Sequence, residues 1–215
     1  MNGPLTVVGA GQAGALLAIY LARQGYQVTV YDSRPDLRRT DIGAGRSINL
    51  ALATRGIVPL IDVGLIGQID DITIPMRGRM VHERDSLTPV LQPYGSRSHE
   101  VIHSISRTDL NAVLLDAAEE TGRVRIEFQA ELESVDFDNS VLRFADRRVE
   151  PFGVVFGADG AGSRVRSSIA ARGACQFETD WLDHGYKELT LPPECDGSHR
   201  LDPNALHIWP RGEFM

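Results

Sequence analysis

Apolar residues recur along the chain with two different periods. A short unbroken run, Leu5–Val8, predicts a buried parallel strand. From Gln12 to Arg23 the spacing becomes helical, with Leu16, Leu17, Ile19, Tyr20 and Leu21 on and around the apolar face. Gly25 then stands where a helix-ending C′ residue is expected. Gln27–Tyr31 predicts a second strand, so the first 32 residues read as a β-α-β unit. A polar, arginine-rich loop runs to about Arg46, and a helix is expected near Ala51–Ile61. Between Ile72 and Tyr94 apolar and polar residues alternate around Pro75, Gly78, Pro89 and Pro93, which predicts short strands of a second sheet.

Arg107–Thr121 predicts an amphipathic helix with Leu110, Val113, Leu114 and Ala117 on one side. Short strands follow at Arg125–Phe128, Glu131–Phe137, Val141–Phe144 and Gly153–Phe156, the middle two flanking the turn Asp138-Asn-Ser140. A glycine-rich turn, Gly157–Gly162, leads into a helix from Ser163 to about Ala171. Alternating strand patterns return at Glu188–Leu191 and Ala205–Trp209. The whole reads as α/β, with no internal repeat.

Composition narrows the function classes. Of 215 residues, 42% are hydrophobic and 24% charged, enough to bury a core. The net charge of −7 is spread along the chain, which argues against nucleic acid as a partner. Arg34, Arg38, Arg39 and Arg46 cluster after the second strand, either as a solvated loop or as an anion site. Cys175 and Cys195 form no CxxC pair and no Cys/His group at metal-ligand spacing. Neither a metal site nor a disulfide scaffold is expected, and a cytoplasmic setting is. Gly3–Ala22 carries no charge over a length that could span a bilayer. Pro4, four glycines and the change of period midway make it a strand-turn-helix unit instead, so no membrane segment is expected.

Two glycine motifs carry the chemistry. Gly9-x-Gly11-x-x-Gly14 follows a predicted strand, opens a helix, and is followed by Asp32 at the end of the next strand, as a dinucleotide fingerprint requires. Gly9 allows the tight turn, Gly11 lets a pyrophosphate approach the helix N-terminus, and Gly14 lets the helix pack close. Asp32 would accept from an adenosine ribose. The alternative is a glycine-rich turn without a ligand. Gly157-Ala-Asp159-Gly160-Ala-Gly-Ser163-Arg164-Val-Arg166 lies far downstream, again between strand and helix. Asp-Gly is also a common turn, and Ser163 a common N-cap.

This second motif resembles the Asp-Gly fingerprint of group A flavoprotein hydroxylases, in which the aspartate lies between FAD and the pyridine nucleotide. Further strings narrow the resemblance to the kynurenine 3-monooxygenase branch. They are Gly45-Arg-Ser-Ile-Asn-Leu-Ala-Leu52, Pro75-Met-Arg-Gly-Arg-Met80 with His82, Ile105-Ser-Arg107 with Leu110-Asn111, His184-Gly-Tyr-Lys-Glu-Leu-Thr190 and Leu206-His-Ile-Trp-Pro-Arg211. The resemblance covers the whole chain. It implies a Rossmann-like, three-layer FAD-binding domain of the p-hydroxybenzoate hydroxylase type over 1–70 and 100–172. A partial β-rich substrate domain would cover 71–99 and 173–215.

The resemblance also implies cofactors, substrates and contacts. FAD would touch Gly9, Gly11, Ala13, Gly14, Asp32, Arg34, Ala51, Arg107, Leu132, Asp159, Gly160 and Arg164. L-kynurenine would meet Arg79, whose planar fork suits a carboxylate, and Tyr94; read alone, Arg79 is an exposed strand residue and Tyr94 a core one. NADPH and O2 would complete the reaction to 3-hydroxykynurenine, with no side chain acting as nucleophile or metal ligand. The family often has Glu where this chain has Asp32. The family also continues past residue 215, so the chain is expected to be a C-terminally truncated form. Alternatives are a non-catalytic FAD-binding fragment, or a flavin hydroxylase for another aromatic acid. Oligomeric state is not legible in the sequence.

Overall fold

A computed structural model describes residues 5–39, 49–185, 189 and 191–215. Within them the chain forms two compact units, Met1–Gly43 with Leu110–Tyr186, and Ala44–Asp109 with Lys187–Met215.

The first unit is built on β1 (Leu5–Val8), α1 (Gln12–Arg23) and β2 (Val28–Tyr31). All four residues of β1 are buried, as an apolar run between two neighbours must be. Helix α1 ends in a Schellman motif. Tyr26 N–H donates to the Leu21 carbonyl and Gly25 N–H to Ala22, with Gly25 at φ +91°, where a side chain would be strained.

The second unit opens with β3 (Asn49–Leu52), α2 (Thr54–Asp62), α3 (Ile66–Asp70), β4 (Thr73–Met76), β5 (Gly78–Val81), β6 (Val90–Pro93) and β7 (Ile102–Ser106). Helix α4 (Arg107–Glu120) leads back into the first unit, which continues with β8 (Val124–Glu127), β9 (Leu132–Asp136), β10 (Val141–Phe144), β11 (Val149–Pro151), β12 (Val154–Gly157) and α5 (Arg164–Ala171). Strand β13 (Leu206–Ile208) returns to the second unit.

In the first unit a parallel sheet runs β12-β1-β2-β8, and β9, β10 and β11 form an antiparallel meander. Side chains alternate across a strand, so β1 and β2 serve two layers. Val8 and Tyr31, opposite one another in register, pack with Leu132, Val135, Leu142 and Phe144 of the meander and Val165 of α5. Val7 and Val30, also in register and wholly buried, face the other way. The β1–α1–β2 strand-turn-helix unit expected from the sequence is present, in a mixed α/β fold with a parallel sheet.

The second unit holds two antiparallel-rich sheets, β3-β7-β4 and β13-β5-β6. Here the sequence reading needs correction. Ala51 lies in a strand paired with Ser104 of β7, and the helix expected from 51 starts only at Thr54. Local composition favoured a helix, and pairing with β7, a strand missed between Val101 and Arg107, overrode it. Residues 40–48, Arg46 among them, lie outside the described residues, as do Glu188 and Thr190 of the strand expected at Glu188–Leu191, whose described residues Leu189 and Leu191 are not in a strand.

Candidate functional site: a strand-turn-helix nucleotide cradle

The two glycine motifs meet because their strands are neighbours. β1 and β12 pair in parallel, with Val8 opposite Gly157, and Ala158 N–H donates to the Val8 carbonyl at 2.7 Å. Gly9 (φ +102°) turns the chain there; a Cβ on it would lie 2.4 Å from the Ala158 carbonyl oxygen. A Cβ on Gly14 would lie 1.8 Å from the carbonyl oxygen of Gly9, so α1 can approach the turn only with glycine at that position. Gly11 differs: nothing lies within 4 Å of where its Cβ would be. The turn is packed at two glycines and open at the middle one.

That open position is the N-cap of α1. No side chain caps the helix, and its first turn contains no acidic residue, so the positive end of its dipole is not neutralised by its own sequence. Ala13, in this first turn, is exposed. Such an end takes an anion readily.

The loop is held on both sides of Ala10. Its N–H donates to Asp32 Oδ2 at 2.7 Å, and its carbonyl accepts from Asn111 Nδ2 at 3.1 Å. Asp32 is buried at 5% exposure, and Arg34 covers it. The Arg34 backbone N–H and Nε donate to Oδ1 at 2.8 and 2.9 Å, and Nη2 donates to Oδ2 at 2.8 Å. Burial alone would push the Asp32 carboxyl up. The Arg34 guanidinium and the Arg34 and Ala10 N–H groups outweigh it and hold the group below the usual aspartate value. Arg34 is correspondingly raised, first by its hydrogen bond to Asp32.

Asn111 was named only inside a sequence string, yet it is a working part of the loop. It is 4% exposed, and its Oδ1 has no hydrogen-bond partner among the described residues. The sequence signal was a polar residue on the buried side of α4, next to Leu110 and near Leu114. Arg38 was likewise read only as one of a cluster. It binds Asp36 through two nitrogens at 2.9 Å and reaches Asp116 and Glu119 of α4 at 2.6 and 2.7 Å, fastening the loop after β2 to that helix.

At the second motif, Asp159 caps α5. Its Oδ2 accepts from the backbone N–H of Arg164 at 2.6 Å and of Val165 at 3.2 Å, and Ser163 Oγ donates to Oδ1 at 2.5 Å. Ser163 Oγ in turn accepts from Arg166 N–H at 3.0 Å. Gly160 takes φ +78°, and Arg164 is exposed at the first turn of α5. Leu132 is a core residue, 4% exposed, in the cluster with Val8 and Tyr31.

The remaining candidates lie in the second unit. Ala51 is exposed on β3, and Arg107 is exposed at the start of α4. Arg79 on β5 pairs in register with Gln92 of β6, and its guanidinium lies 5.7 Å from the centroid of the Tyr94 ring. Tyr94 N–H donates to the Arg77 carbonyl at 3.0 Å, extending the β5–β6 hairpin by one bond. Arg79 has no ion-pair partner among the described residues, and it is exposed. The structure therefore brings together Gly9, Gly11, Gly14, Asp32, Arg34, Asp159 and Gly160 in one unit, and Arg79 with Tyr94 in the other.

Comparison with known proteins agrees with this geometry. The chain is 48% identical over 216 aligned residues to kynurenine 3-monooxygenase of Stenotrophomonas maltophilia, covering 98% of this chain and 47% of that protein. It is 47% identical to the protein of the same name from Myxococcus xanthus, covering 98% of this chain and 46% of that protein. The chain thus spans about half the length of the curated relatives it matches. Among solved structures, 2-methyl-3-hydroxypyridine-5-carboxylic acid oxygenase shares the fold with a TM-score of 0.64 at 24% identity, over 79% of this chain and 42% of that one. PqsL of Pseudomonas aeruginosa in complex with 2-aminobenzoylacetate gives 0.64 at 24%, over 86% and 48%. The family described as "FAD binding domain" matches residues 4–199, and the chain belongs to it.

Proposed function

We propose that the chain binds FAD and takes part in the NADPH- and O2-dependent hydroxylation of L-kynurenine to 3-hydroxykynurenine. The observation that carries the cofactor reading is the uncapped N-terminus of α1, open at Gly11 and packed at Gly9 and Gly14. The residues fit a dinucleotide. The α1 end would hold the pyrophosphate, and Asp32 with Arg34 would hold the adenosine side. Asn111 Oδ1 is a buried acceptor for a cofactor hydroxyl. Gly160 and Arg164 at the mouth of the second turn, together with Ala13 and Leu132, would complete the contacts in this unit, and Ala51 and Arg107 are proposed as contacts on the resemblance alone. FAD, when bound, would supply the electron transfer from NADPH and the oxygen transfer to the aromatic ring.

The chain's own residues orient and anchor. Arg79, whose guanidinium lies over the Tyr94 ring and which has no carboxylate partner among the described residues, would take the substrate carboxylate in its two-pronged fork, and the Tyr94 hydroxyl would add a donor. Asp159 stays on α5 and keeps the second turn in shape. The relatives' name supports kynurenine as the substrate. We further propose the division expected from the sequence, with 1–70 and 100–172 serving the cofactor and 71–99 and 173–215 the substrate, and a cytoplasmic setting. Among the described residues no helix is long and apolar enough to cross a membrane.

A second reading is FAD binding without turnover; the relatives named for the hydroxylation are matched over about half of their length. The test is NADPH consumption by the chain in the presence of FAD, with and without L-kynurenine, and product analysis for 3-hydroxykynurenine. Kynurenine-stimulated consumption with product supports hydroxylation. Bound FAD with no stimulation supports the second reading, and stimulation only by other aromatic acids moves the substrate assignment.

A further inference from the structure

Two histidines join β5 to β13. The strands are parallel, with His207 opposite Met80, and His82 N–H donates to the Ile208 carbonyl at 2.9 Å. Just past the last pair, His82 Nε2 lies 2.8 Å from His207 Nδ1, and His207 Nε2 lies 2.9 Å from the Asp202 carbonyl oxygen. A carbonyl oxygen can only accept, so His207 Nε2 carries the hydrogen. In the neutral ring Nδ1 then offers a lone pair, and His82 Nε2 must supply the shared hydrogen. The His82 ring stacks on Trp209, centroids 4.4 Å apart at 16°, and Arg211 Nη1 donates to the His82 carbonyl at 3.0 Å.

This arrangement has room for one added proton. It goes to Nδ1 of His82 and leaves both hydrogen bonds in place. A second proton has only His207 Nδ1 to occupy, which sets N–H against N–H and breaks the pair. The charges nearby are the Arg211 guanidinium, the Arg77–Asp202 ion pair at 3.6 Å, and exposed Glu83 and Arg84, which follow His82; β6, Val90–Pro93, contributes no ionisable side chain. Desolvation, His207 and Arg211 hold His82 below the usual histidine range. His82 is thus neutral near pH 7.

Strand alternation puts Met80 and His82 on one face of β5 and Arg79 on the other. We propose that His82 and His207 form a positioning pair for Arg79, a cross-brace that fixes β5 on β13 from behind the guanidinium, tolerates one proton and opens with the second. The proposal rests on the reading of Arg79 as the carboxylate-binding residue.

Ring nitrogen-15 spectra of the 215-residue chain, followed from about pH 8 to about pH 4.5, test the pair without reference to activity. Expected are Nε2–H tautomers on both rings and uptake of one proton by the pair with the hydrogen bond kept. Faster amide exchange at His82 and Arg77, whose N–H groups bond Ile208 and Asn204, should follow only with the second. An Nδ1–H tautomer on His207, or two independent titrations at the ordinary histidine value with unchanged exchange, would overturn it. His82→Gln keeps a donor toward His207 and can turn its oxygen to a protonated ring, so its strands should stay protected at low pH; opening at the wild-type pH counts against the brace. His82→Phe keeps the Trp209 stack without the hydrogen bond. It should exchange fast at every pH and weaken L-kynurenine binding by about three- to tenfold, with the glutamine variant near wild type. Wild-type kynurenine affinity in His82→Phe would remove the positioning role. If instead Arg79→Ala binds kynurenine as well as wild type, the reading of Arg79 fails while the ring titration stands.

Discussion

Asp32, proposed to meet the adenosine side of the cofactor, also serves the fold. Its carboxylate holds Ala10 N–H and is covered by Arg34, so part of its acceptor capacity is spent on keeping the glycine turn in shape. The folded-state pKa is depressed below 3.8, so the stabilisation is fully present above that value and is lost as pH falls through the folded pKa. Asp36 and Glu127, also depressed by arginine partners, add to the same acid limb. Unfolding free energy should therefore decline from about pH 4 downward. Asp32→Asn should cost about 1–3 kcal/mol at pH 7, because the amide nitrogen faces donors. The gap between the two proteins should narrow as pH falls below about 4. Denaturant unfolding at a series of pH values checks this, and a gap that widens in acid would contradict it. At this scale the sequence showed that Asp32 belongs with the glycines, because the strand-turn-helix spacing fixes its place. It did not show Arg34 lying on Asp32 or Asn111 clasping Ala10, since both depend on contacts between segments far apart in the chain.

Elements were legible in proportion to how local their causes are. Helix α1 appears over Gln12–Arg23 as read, because its period and its glycine stop are both in the segment. The β9–β10 pair was legible through its turn, although the chain bulges at Arg143/Phe144. Strands β3 and β7 were not, because Asn49–Leu52 is stabilised as a strand by pairing with residues more than fifty positions away. The β5–β6 hairpin sets the Arg79 guanidinium against the Tyr94 ring. If Arg79 takes the substrate carboxylate, Arg79→Ala should weaken L-kynurenine binding by roughly ten- to a hundredfold and leave FAD affinity unchanged. Arg79→Lys should recover only part of the loss, since an ammonium lacks the planar fork. Tyr94→Phe should cost less, about 0.5–1.5 kcal/mol for one neutral hydrogen bond. Calorimetric titration with L-kynurenine separates these outcomes from the changes within about 0.5 kcal/mol expected of a solvated strand residue.

Across the whole molecule, the sequence motifs sort between two packing units. The glycine turns, Asp32, Arg34 and Asp159 lie in one; Arg79, Tyr94, Ala51 and Arg107 lie in the other. The resemblance divides the chain by role, whereas contacts place residues 44–70 and 100–109 with the second unit. Packing boundaries of this kind cannot be read from composition, because no linker-like stretch marks them. The claim on which the rest depends is that the open N-terminus of α1 is a nucleotide site. FAD titration of the wild-type chain and of Gly11→Val, followed by flavin fluorescence, addresses it most directly when paired with thermal unfolding of both. The valine side chain enters open space, so folding should be nearly preserved, at a cost of about 1 kcal/mol for the poorer N-cap. FAD affinity should fall at least about tenfold, because the side chain occupies the place of the pyrophosphate. A stable Gly11→Val chain that binds FAD as tightly as wild type would contradict the account.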